Sequence, residues 1–314
     1  MSLLQRIEAP SKLPDSLAVP GSKSLSHRAL ILSHHCPDPP VLDGLLNCAD
    51  TEATHRGMAA LGDGITIDCG NSGTTLRFLL GQAALLGETT HFVGDASLSR
   101  RTNASLLRSL EAAGVWIESR DDHLPISIRG PLQPGLFSVA AELSSQFLSS
   151  LLLALPFATG DSRIQLLGEV PSQGYVELTQ QAAAHFGLMI EKTSDGFQIP
   201  GNQTAQGGLY PIEGDWSAAG LAGAFSIAMG QPLRLANLQR HSRQSDRALP
   251  QFLEQFGASV RWHDDGLSIH PGERLAVPYL DLRAQPDLLP PMAVLASLSP
   301  GPTRLQCSPG IRHK

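Results

Sequence analysis

A recurring pattern of apolar and polar positions runs along this chain. In each copy, apolar residues at helical spacing end at a glycine, and a short strand, a polar turn and a second strand follow. The glycine can close the helix in a left-handed conformation, and the Asp-Asp or Asp-Gly turn reverses the chain into a hairpin. Three clear copies cover residues 105–130, 177–201 and 248–272, and a weaker copy covers residues 57–70. Because the copies recur roughly every 50 to 75 residues, each is predicted to be a whole supersecondary unit of helices and strands.

Length and composition add limits to this picture. The chain has 314 residues, which predicts two domains, and 42% of them are hydrophobic, which is enough apolar material for a core. The formal net charge of −6 argues against a general nucleic-acid binder. Any site for an anion must therefore be a local basic pocket in an acidic protein.

The cysteines and the most apolar segment exclude further classes. Cys36, Cys48, Cys69 and Cys307 form no Cys-x-x-Cys pair, so neither a zinc site nor a disulfide framework is expected. The N-terminus has no signal-peptide pattern, and residues 147–158 are too short an apolar run to span a bilayer. We therefore expect a cytoplasmic protein that binds no metal and no membrane.

Three segments rich in glycine or serine each open an apolar helix. They are residues 19–33, 70–81 and 142–156. The first places Lys23 and Arg28 among hydroxyl groups, ahead of an apolar helical run that starts at Ala29, and it lacks the Gly-x4-Gly-Lys pattern of a nucleotide kinase. Each segment alone also fits an ordinary capped helix. Together they predict several helix N-termini that share one cleft and bind a substrate with more than one phosphate or carboxylate.

At these segments the sequence resembles a known enzyme family. The motifs GSKSLSHRAL, GNSGTTLRF, GDASLSRR, LSSQFLSSLLLA, EGDWSAA and QPDLLPPMAVLA occur in the order found in the 3-phosphoshikimate 1-carboxyvinyltransferase (EPSP synthase) family. The resemblance runs from about residue 10 to the last residue. The related family that uses UDP-N-acetylglucosamine lacks the serine-rich pattern.

The resemblance implies an α/β fold of two lobes built from repeated βαβαββ units, an inside-out α/β barrel with helices inside and sheets outside. The first lobe would be residues 13–211, with three units. The second, incomplete lobe would be residues 1–12 and 212–314. The implied activity transfers the enolpyruvyl group of phosphoenolpyruvate to the 5-hydroxyl of shikimate 3-phosphate, in the shikimate pathway to chorismate and the aromatic amino acids. It needs no cofactor and no partner beyond these two small molecules, and we expect a monomer.

The resemblance also assigns residues. Asp287 and Lys23 would be catalytic. Residues for shikimate 3-phosphate would be Lys23, Ser24, Arg28, Ser144, Ser145, Gln146, Ser172, Tyr175, Asp287 and Lys314. Residues for phosphoenolpyruvate would be Lys23, Asn71, Gly73, Arg101 and Gln146.

Some positions depart from the family pattern. Arg100 and Arg101 are both candidate ligands, and the register favours Arg101. Gly310 stands where some members carry an asparagine ligand, and family members continue beyond Lys314 with a proton-transfer glutamate and further cations. Two alternatives therefore stay open: a chain that binds shikimate 3-phosphate without turnover, and an enolpyruvyl transferase with another acceptor.

Overall fold

The computed structural model describes residues 11–140, 145–168 and 173–308. The helices in these residues are α1 (Lys23–His34), α2 (Ala49–Ala60), α3 (Gly73–Ala83), α4 (Ala104–Ala112), α5 (Ser145–Ala154), α6 (Gln173–His185), α7 (Trp216–Met229), α8 (Leu249–Gln255) and α9 (Leu289–Leu298). The strands are β1 (Ser16–Ala18), β2 (Val41–Asp43), β3 (Thr66–Asp68), β4 (Thr90–Val93), β5 (Trp116–Arg120), β6 (His123–Arg129), β7 (Leu136–Ala140), β8 (Ser162–Leu167), β9 (Glu191–Lys192), β10 (Gly196–Ile199), β11 (Leu209–Pro211), β12 (Leu233–Ala236), β13 (Ser259–His263), β14 (Gly266–His270), β15 (Tyr279–Asp281) and β16 (Arg304–Gln306).

Three four-stranded sheets share one topology. Their strand orders are β3-β4-β6-β5, β7-β8-β10-β9 and β1-β12-β14-β13. In each sheet the first two strands are parallel and the other neighbours are antiparallel. The antiparallel hairpins β5–β6, β9–β10 and β13–β14 are the three clear copies of the sequence pattern. The predicted α/β class with a repeated unit is confirmed, whereas the weaker copy at residues 57–70 holds the end of α2 and β3 but no hairpin.

The chain divides into two compact units. The described residues of the small unit lie within 1–20, 214–242 and 246–306, and those of the large unit lie within 21–213, 243–245 and 307–314. The lobe boundaries expected from the sequence are 12/13 and 211/212. Residues 13–20 differ because β1 pairs in parallel with β12 and so belongs to the sheet of the small unit. Residues 212–213, 243–245 and 307–308, predicted for the second lobe, fall in the large unit.

Within the large unit, two sheets are complete βαβαββ repeats, β3 to β6 and β7 to β10. The third repeat that the resemblance implies consists, in the described residues, of α1 and α2 with the two-stranded parallel sheet β2–β11. In the small unit β15 and β16 likewise pair in parallel.

Alternating side chains explain how each sheet covers the core. Along β6, Leu124, Ile126 and Ile128 are buried, and the residues between them are exposed or half-buried. This alternation with a period of two places one apolar face of the sheet against the helices. The same buried cluster contains Phe78 of α3 and Phe147 of α5.

The helices of the large unit pack closely on one another, and the contact between α3 and α5 is the most extensive. A Cβ atom on Gly81 of α3 would lie 2.9 Å from the backbone oxygen of Ser150 on α5. The Ser150 hydroxyl donates a hydrogen bond of 2.6 Å to the backbone oxygen of Arg77. Glycine at this crossing therefore lets the backbones of α3 and α5 approach each other closely.

Candidate functional site

The first turns of several helices lie together at one end of the large unit. Lys23 Nζ at the start of α1 is 3.1 Å from the Asp50 carboxylate at the start of α2. The Thr75 hydroxyl in the first turn of α3 donates to the backbone oxygen of Asp50 at 3.0 Å. Gln146 Nε2 at the start of α5 donates to the Thr74 hydroxyl at 2.8 Å. These hydrogen bonds connect the N-terminal ends of α1, α2, α3 and α5.

A fifth helix joins through Arg28. Its guanidinium donates to the backbone oxygens of Ser24 on α1, at 2.7 Å, and of Tyr175 on α6, at 2.8 Å. Free backbone N–H groups and the positive ends of helix dipoles therefore accumulate in one region. Such a region favours anions, as the sequence analysis expected.

Two helix starts can be compared with the sequence-based prediction. α3 begins at Gly73, and the Ser72 side chain caps it by accepting a hydrogen bond from Thr75 N. α1 begins at Lys23, earlier than the apolar run from Ala29 suggested. Ser22 is extended and occupies the cap position, so the polar residues after it form the first turns of α1. The predicted placement of Lys23 and Arg28 near a helix N-terminus is confirmed, and only the first residue of the helix lies earlier than the apolar run.

Asparagine and arginine side chains surround the start of α3. Arg101 Nη2 donates to Asn71 Oδ1 at 3.3 Å, and Asn71 Nδ2 donates to Asp95 Oδ2 at 2.7 Å. Asp95 also accepts from the backbone N–H groups of Ser97 and Leu98. The hydrogen bond from Asn71, followed by that from Leu98, lowers the pKa of the Asp95 carboxyl. Asp95 therefore fixes both Asn71 and the loop that carries Arg101.

Gly73 faces two guanidinium groups. A Cβ atom at this position would lie 3.4 Å from Nη1 of Arg77 and 3.4 Å from Nη1 of Arg101. Because glycine has no side chain, the backbone at the start of α3 leaves this space open between two cations. The arrangement can hold an anionic group of small size.

Arg28 is the most buried cation of the region, with 2% exposure. In addition to its two backbone acceptors, it donates to the Thr179 hydroxyl at 2.8 Å and to the Ser149 hydroxyl at 3.3 Å, and its Cζ lies 5.1 Å from the Phe78 ring centroid. Burial lowers the pKa of Arg28 to about 10. Within the described residues its guanidinium therefore already has protein acceptors, and contact with a substrate stays a prediction.

His27 connects α1 to the hydroxyl groups of α2 and α3. Its Nδ1 is 2.7 Å from the Thr54 hydroxyl, which is 2.7 Å from the Thr75 hydroxyl. Desolvation by burial lowers the pKa of His27 to about 3. The imidazole is therefore neutral at physiological pH and serves as a hydrogen-bonding group in the floor of the region.

Acid should destabilise the protein through His27. The folded pKa of about 3 lies below the ordinary value of 6.5, so between these pH values the unfolded chain binds one more proton. Stability is expected to fall by about 1.4 kcal/mol per pH unit for each such histidine as pH drops. His35, whose pKa burial lowers to about 4, adds a second contribution. Urea unfolding at several values between about pH 6 and pH 4 measures this slope.

The variant His27→Gln should reduce the slope of stability against pH by about 1.4 kcal/mol per pH unit. The reason is that glutamine, unlike histidine, takes up no proton when the chain unfolds. His91→Gln is the matched control, since His91 is exposed on β4. Equal slopes for His27→Gln and the unaltered protein would contradict the assignment.

The structure brings together most of the residues that the resemblance assigns. Those in the region just described are Lys23, Ser24, Arg28, Asn71, Gly73, Arg101, Gln146 and Tyr175. Ser145, in the first turn of α5, is 8% exposed. Ser144, Ser172 and Lys314 lie outside the described residues. Asp287 lies in the small unit, in the 3-10 turn Pro286–Leu288 that leads directly into α9.

Sequence reasoning missed Asp50 and Arg77. Asp50 pairs with Lys23, and Arg77 donates from Nη1 to Gln146 Oε1. The available signal was helical spacing, because Arg77 follows Gly73 by four residues and so lies on the same helix face. Nothing local marked Asp50, whose carboxylate pairs with Lys23 of another helix.

The described part of the chain contains no group of three or more His, Cys, Asp or Glu side chains that could hold a metal ion. Its helices include none with the length and apolarity needed to cross a membrane.

Known proteins resemble this chain in sequence and in fold. The chain matches the family model described as EPSP synthase (3-phosphoshikimate 1-carboxyvinyltransferase) over residues 7–67 and 63–314. A relative named 3-phosphoshikimate 1-carboxyvinyltransferase from Clostridium perfringens (strain ATCC 13124) is 33% identical, over 98% of this chain and 78% of the relative. A relative of the same name from Methanopyrus kandleri is 32% identical with the same two coverages, 98% and 78%. The solved structure of EPSP synthase from Acinetobacter baumannii has a TM-score of 0.73 at 21% identity, over 92% of this chain and 72% of that chain, and is similar in fold.

Proposed function

Because this chain belongs to the EPSP synthase family, we propose that it transfers the enolpyruvyl group of phosphoenolpyruvate to the 5-hydroxyl of shikimate 3-phosphate and releases phosphate. The observation that carries the proposal is the meeting of helix N-termini around Lys23, Arg77, Arg101 and Gln146. Both substrates are multiply charged anions, and this region supplies cations and backbone dipoles within one unit. The reaction belongs to the shikimate pathway, which leads to the aromatic amino acids.

The acceptor would lie against α1, α5 and α6. Lys23 and Ser24 are accessible in the first turn of α1 and can donate to its phosphate or ring oxygens. Arg28 supports this surface from below, since it holds the start of α6 to α1. We extend the proposal to Ser144, Ser145, Ser172, Tyr175 and Lys314 by their positions in the family motifs.

Phosphoenolpyruvate would lie at the start of α3. Arg101 and Lys23 would neutralise its charge, and Gln146 would donate from its amide. Asn71 would keep Arg101 in place through their 3.3 Å hydrogen bond. The open space at Gly73 gives the ligand close access to the first backbone N–H groups of α3.

The chemistry requires a base. As the 5-hydroxyl oxygen bonds to C2 of phosphoenolpyruvate, its proton must leave, and the methylene carbon gains a proton. The resulting tetrahedral intermediate then eliminates phosphate from C2, while the methyl group formed at C3 loses a proton and the C2–C3 double bond re-forms. We assign removal of the hydroxyl proton to Asp287. Preorganised cations stabilise the charge that develops on the phosphate and carboxylate groups.

Release of inorganic phosphate from the two substrates tests the function directly. Turnover that depends on shikimate 3-phosphate supports the proposal. Calorimetric binding of shikimate 3-phosphate without turnover would instead identify a non-catalytic binder. Turnover with a nucleotide sugar in place of shikimate 3-phosphate would identify another acceptor.

We further propose a cytoplasmic monomer that binds neither nucleic acid nor membranes. The net charge of −6 disfavours both of these polyanionic surfaces. Sedimentation equilibrium checks the monomer, and a second species at twice the mass of 33.4 kDa would contradict it.

The variant Gly73→Ala should weaken phosphoenolpyruvate selectively. The added methyl would lie 3.4 Å from both Arg77 and Arg101, so the protein itself accommodates it, but the methyl fills the space that the ligand needs. Overpacking of about 1–3 kcal/mol corresponds to a loss of affinity of about 5- to 150-fold. Calorimetry with each ligand measures this selectivity. Equal losses for phosphoenolpyruvate and shikimate 3-phosphate would contradict the placement of Gly73.

A further inference from the structure

Arg77 lies at the centre of the candidate site without an assigned role. It follows Gly73 by about one helical turn of α3. Its Nη1 donates to Gln146 Oε1, and its Nε donates to Asn103 Oδ1 at 3.3 Å. Its Cζ lies 5.2 Å from the Phe147 ring centroid. Three neighbours from two other segments therefore hold this guanidinium in one orientation.

The contact between Arg77 and Gln146 determines the orientation of the glutamine amide. A guanidinium has only donors, so the carbonyl oxygen of Gln146 must face Arg77. The amide nitrogen must then face the opposite way, and it donates to the Thr74 hydroxyl at 2.8 Å. A flipped amide would place its NH₂ group against the cation. Arg77 therefore ensures that Gln146 presents a donor toward the first turn of α3, where an anion would be bound.

Arg77 also contributes charge. The Cβ position of Gly73 is 3.4 Å from Nη1 of Arg77 and of Arg101, so both guanidinium groups border the same small space. Within the described residues neither arginine forms an ion pair with a carboxylate. Burial, followed by the charge of Arg101, lowers the pKa of Arg77 to about 10. Two like charges held together without a counterion favour binding of an external anion.

We propose that Arg77 is a positioning residue for the anionic enolpyruvyl donor: it orients the amide of Gln146 and, with Arg101, creates the positive field beside Gly73. This inference rests on the proposed function, because it identifies that donor as phosphoenolpyruvate. The two parts of the role are separable. Lysine at position 77 keeps the charge but loses the planar fork, whereas glutamine loses the charge.

The experiment compares Arg77→Gln and Arg77→Lys with the unaltered chain. Arg163→Gln is the matched control, because Arg163 pairs with Asp195 on an exposed part of the same unit. Calorimetry measures the affinity for shikimate 3-phosphate and for phosphoenolpyruvate, each added alone so that no turnover occurs, and thermal unfolding is recorded for every variant. Arg77→Gln is expected to weaken phosphoenolpyruvate by about 30-fold or more. Shikimate 3-phosphate should change by no more than about twofold, and Arg77→Lys should fall between Arg77→Gln and the control.

A double-mutant cycle with Gln146→Ala tests whether Arg77 acts through the glutamine. If it does, the double variant loses less phosphoenolpyruvate affinity than the product of the two single losses. Fully independent losses would overturn the positioning role. The inference is also wrong if Arg77→Gln binds phosphoenolpyruvate normally, if both ligands weaken equally in step with a lower Tm, or if both Arg77 variants fail to fold.

Failure of this inference can be distinguished from failure of the proposed function. If the unaltered chain binds neither ligand, both are wrong. If the unaltered chain binds both ligands and the Arg77 variants bind phosphoenolpyruvate equally well, the inference alone is wrong.

Discussion

The variant Asp287→Asn is expected to lower kcat for phosphate release by about 10²- to 10⁴-fold, with little change in the affinity for shikimate 3-phosphate. An asparagine amide keeps the shape of the aspartate and one accepting oxygen, but it cannot take up the proton of the 5-hydroxyl. The backbone should not change, because Asp287 lies in a short 3-10 turn next to α9 and Pro286 fixes the start of that turn. Initial rates of phosphate release at saturating substrates measure kcat, and calorimetry measures the affinity.

Asp281→Asn is the control for this prediction. Asp281 belongs to the same unit and forms a 2.6 Å ion pair with its near neighbour Arg283. The hydrogen bond from Arg283 lowers the pKa of the Asp281 carboxyl. Loss of this partly exposed pair should leave kcat unchanged. A value of kcat for Asp287→Asn close to that for Asp281→Asn would remove Asp287 from its role as base.

The repeated fold could be predicted from local signals. Gly114, Gly187 and Gly257 all have positive φ values, of 85°, 74° and 95°, as expected for glycines that close helices. Each precedes a strand of an antiparallel hairpin. The location of β1 was not predictable in this way, because its pairing with β12 joins residues more than two hundred positions apart. Nothing within so short a strand indicates its partner.

The candidate site shows a similar division. Glycine and serine in the sequence predicted the starts of α1 and α3, because helix ends have a recognisable composition, and anion binding at these starts stays a prediction. The sequence could not show that Asp50 would pair with Lys23 or that Arg77 would hold Gln146, since both contacts depend on how helices pack. The burial of Arg28 was equally hidden. A cation in a ligand-binding motif is expected to be accessible. The acceptors of Arg28, however, include Ser149 and Thr179, which lie far along the chain.

Arg28 therefore has a structural consequence that its motif does not suggest. The variant Arg28→Ala is expected to lower the free energy of unfolding by about 3–5 kcal/mol. The change removes a large buried side chain and the charged donor for Thr179, Ser149 and two backbone oxygens. It also separates the starts of α1 and α6. Urea unfolding at neutral pH measures the change.

Arg163→Ala serves as the comparison, because its ion pair with Asp195 is exposed and its loss should cost less than about 1 kcal/mol.

Arg28→Lys separates stability from binding, since lysine keeps the stem and the charge but not the fork of donors. If Arg28 acts mainly by holding α6, its variants should lose shikimate 3-phosphate affinity in proportion to their loss of stability. A stable Arg28→Lys protein that no longer binds shikimate 3-phosphate would instead show that the guanidinium contacts the substrate. If Arg28→Ala lowers the free energy of unfolding by less than about 1 kcal/mol, the buried structural role is contradicted, because only an exposed arginine is expected to contribute so little.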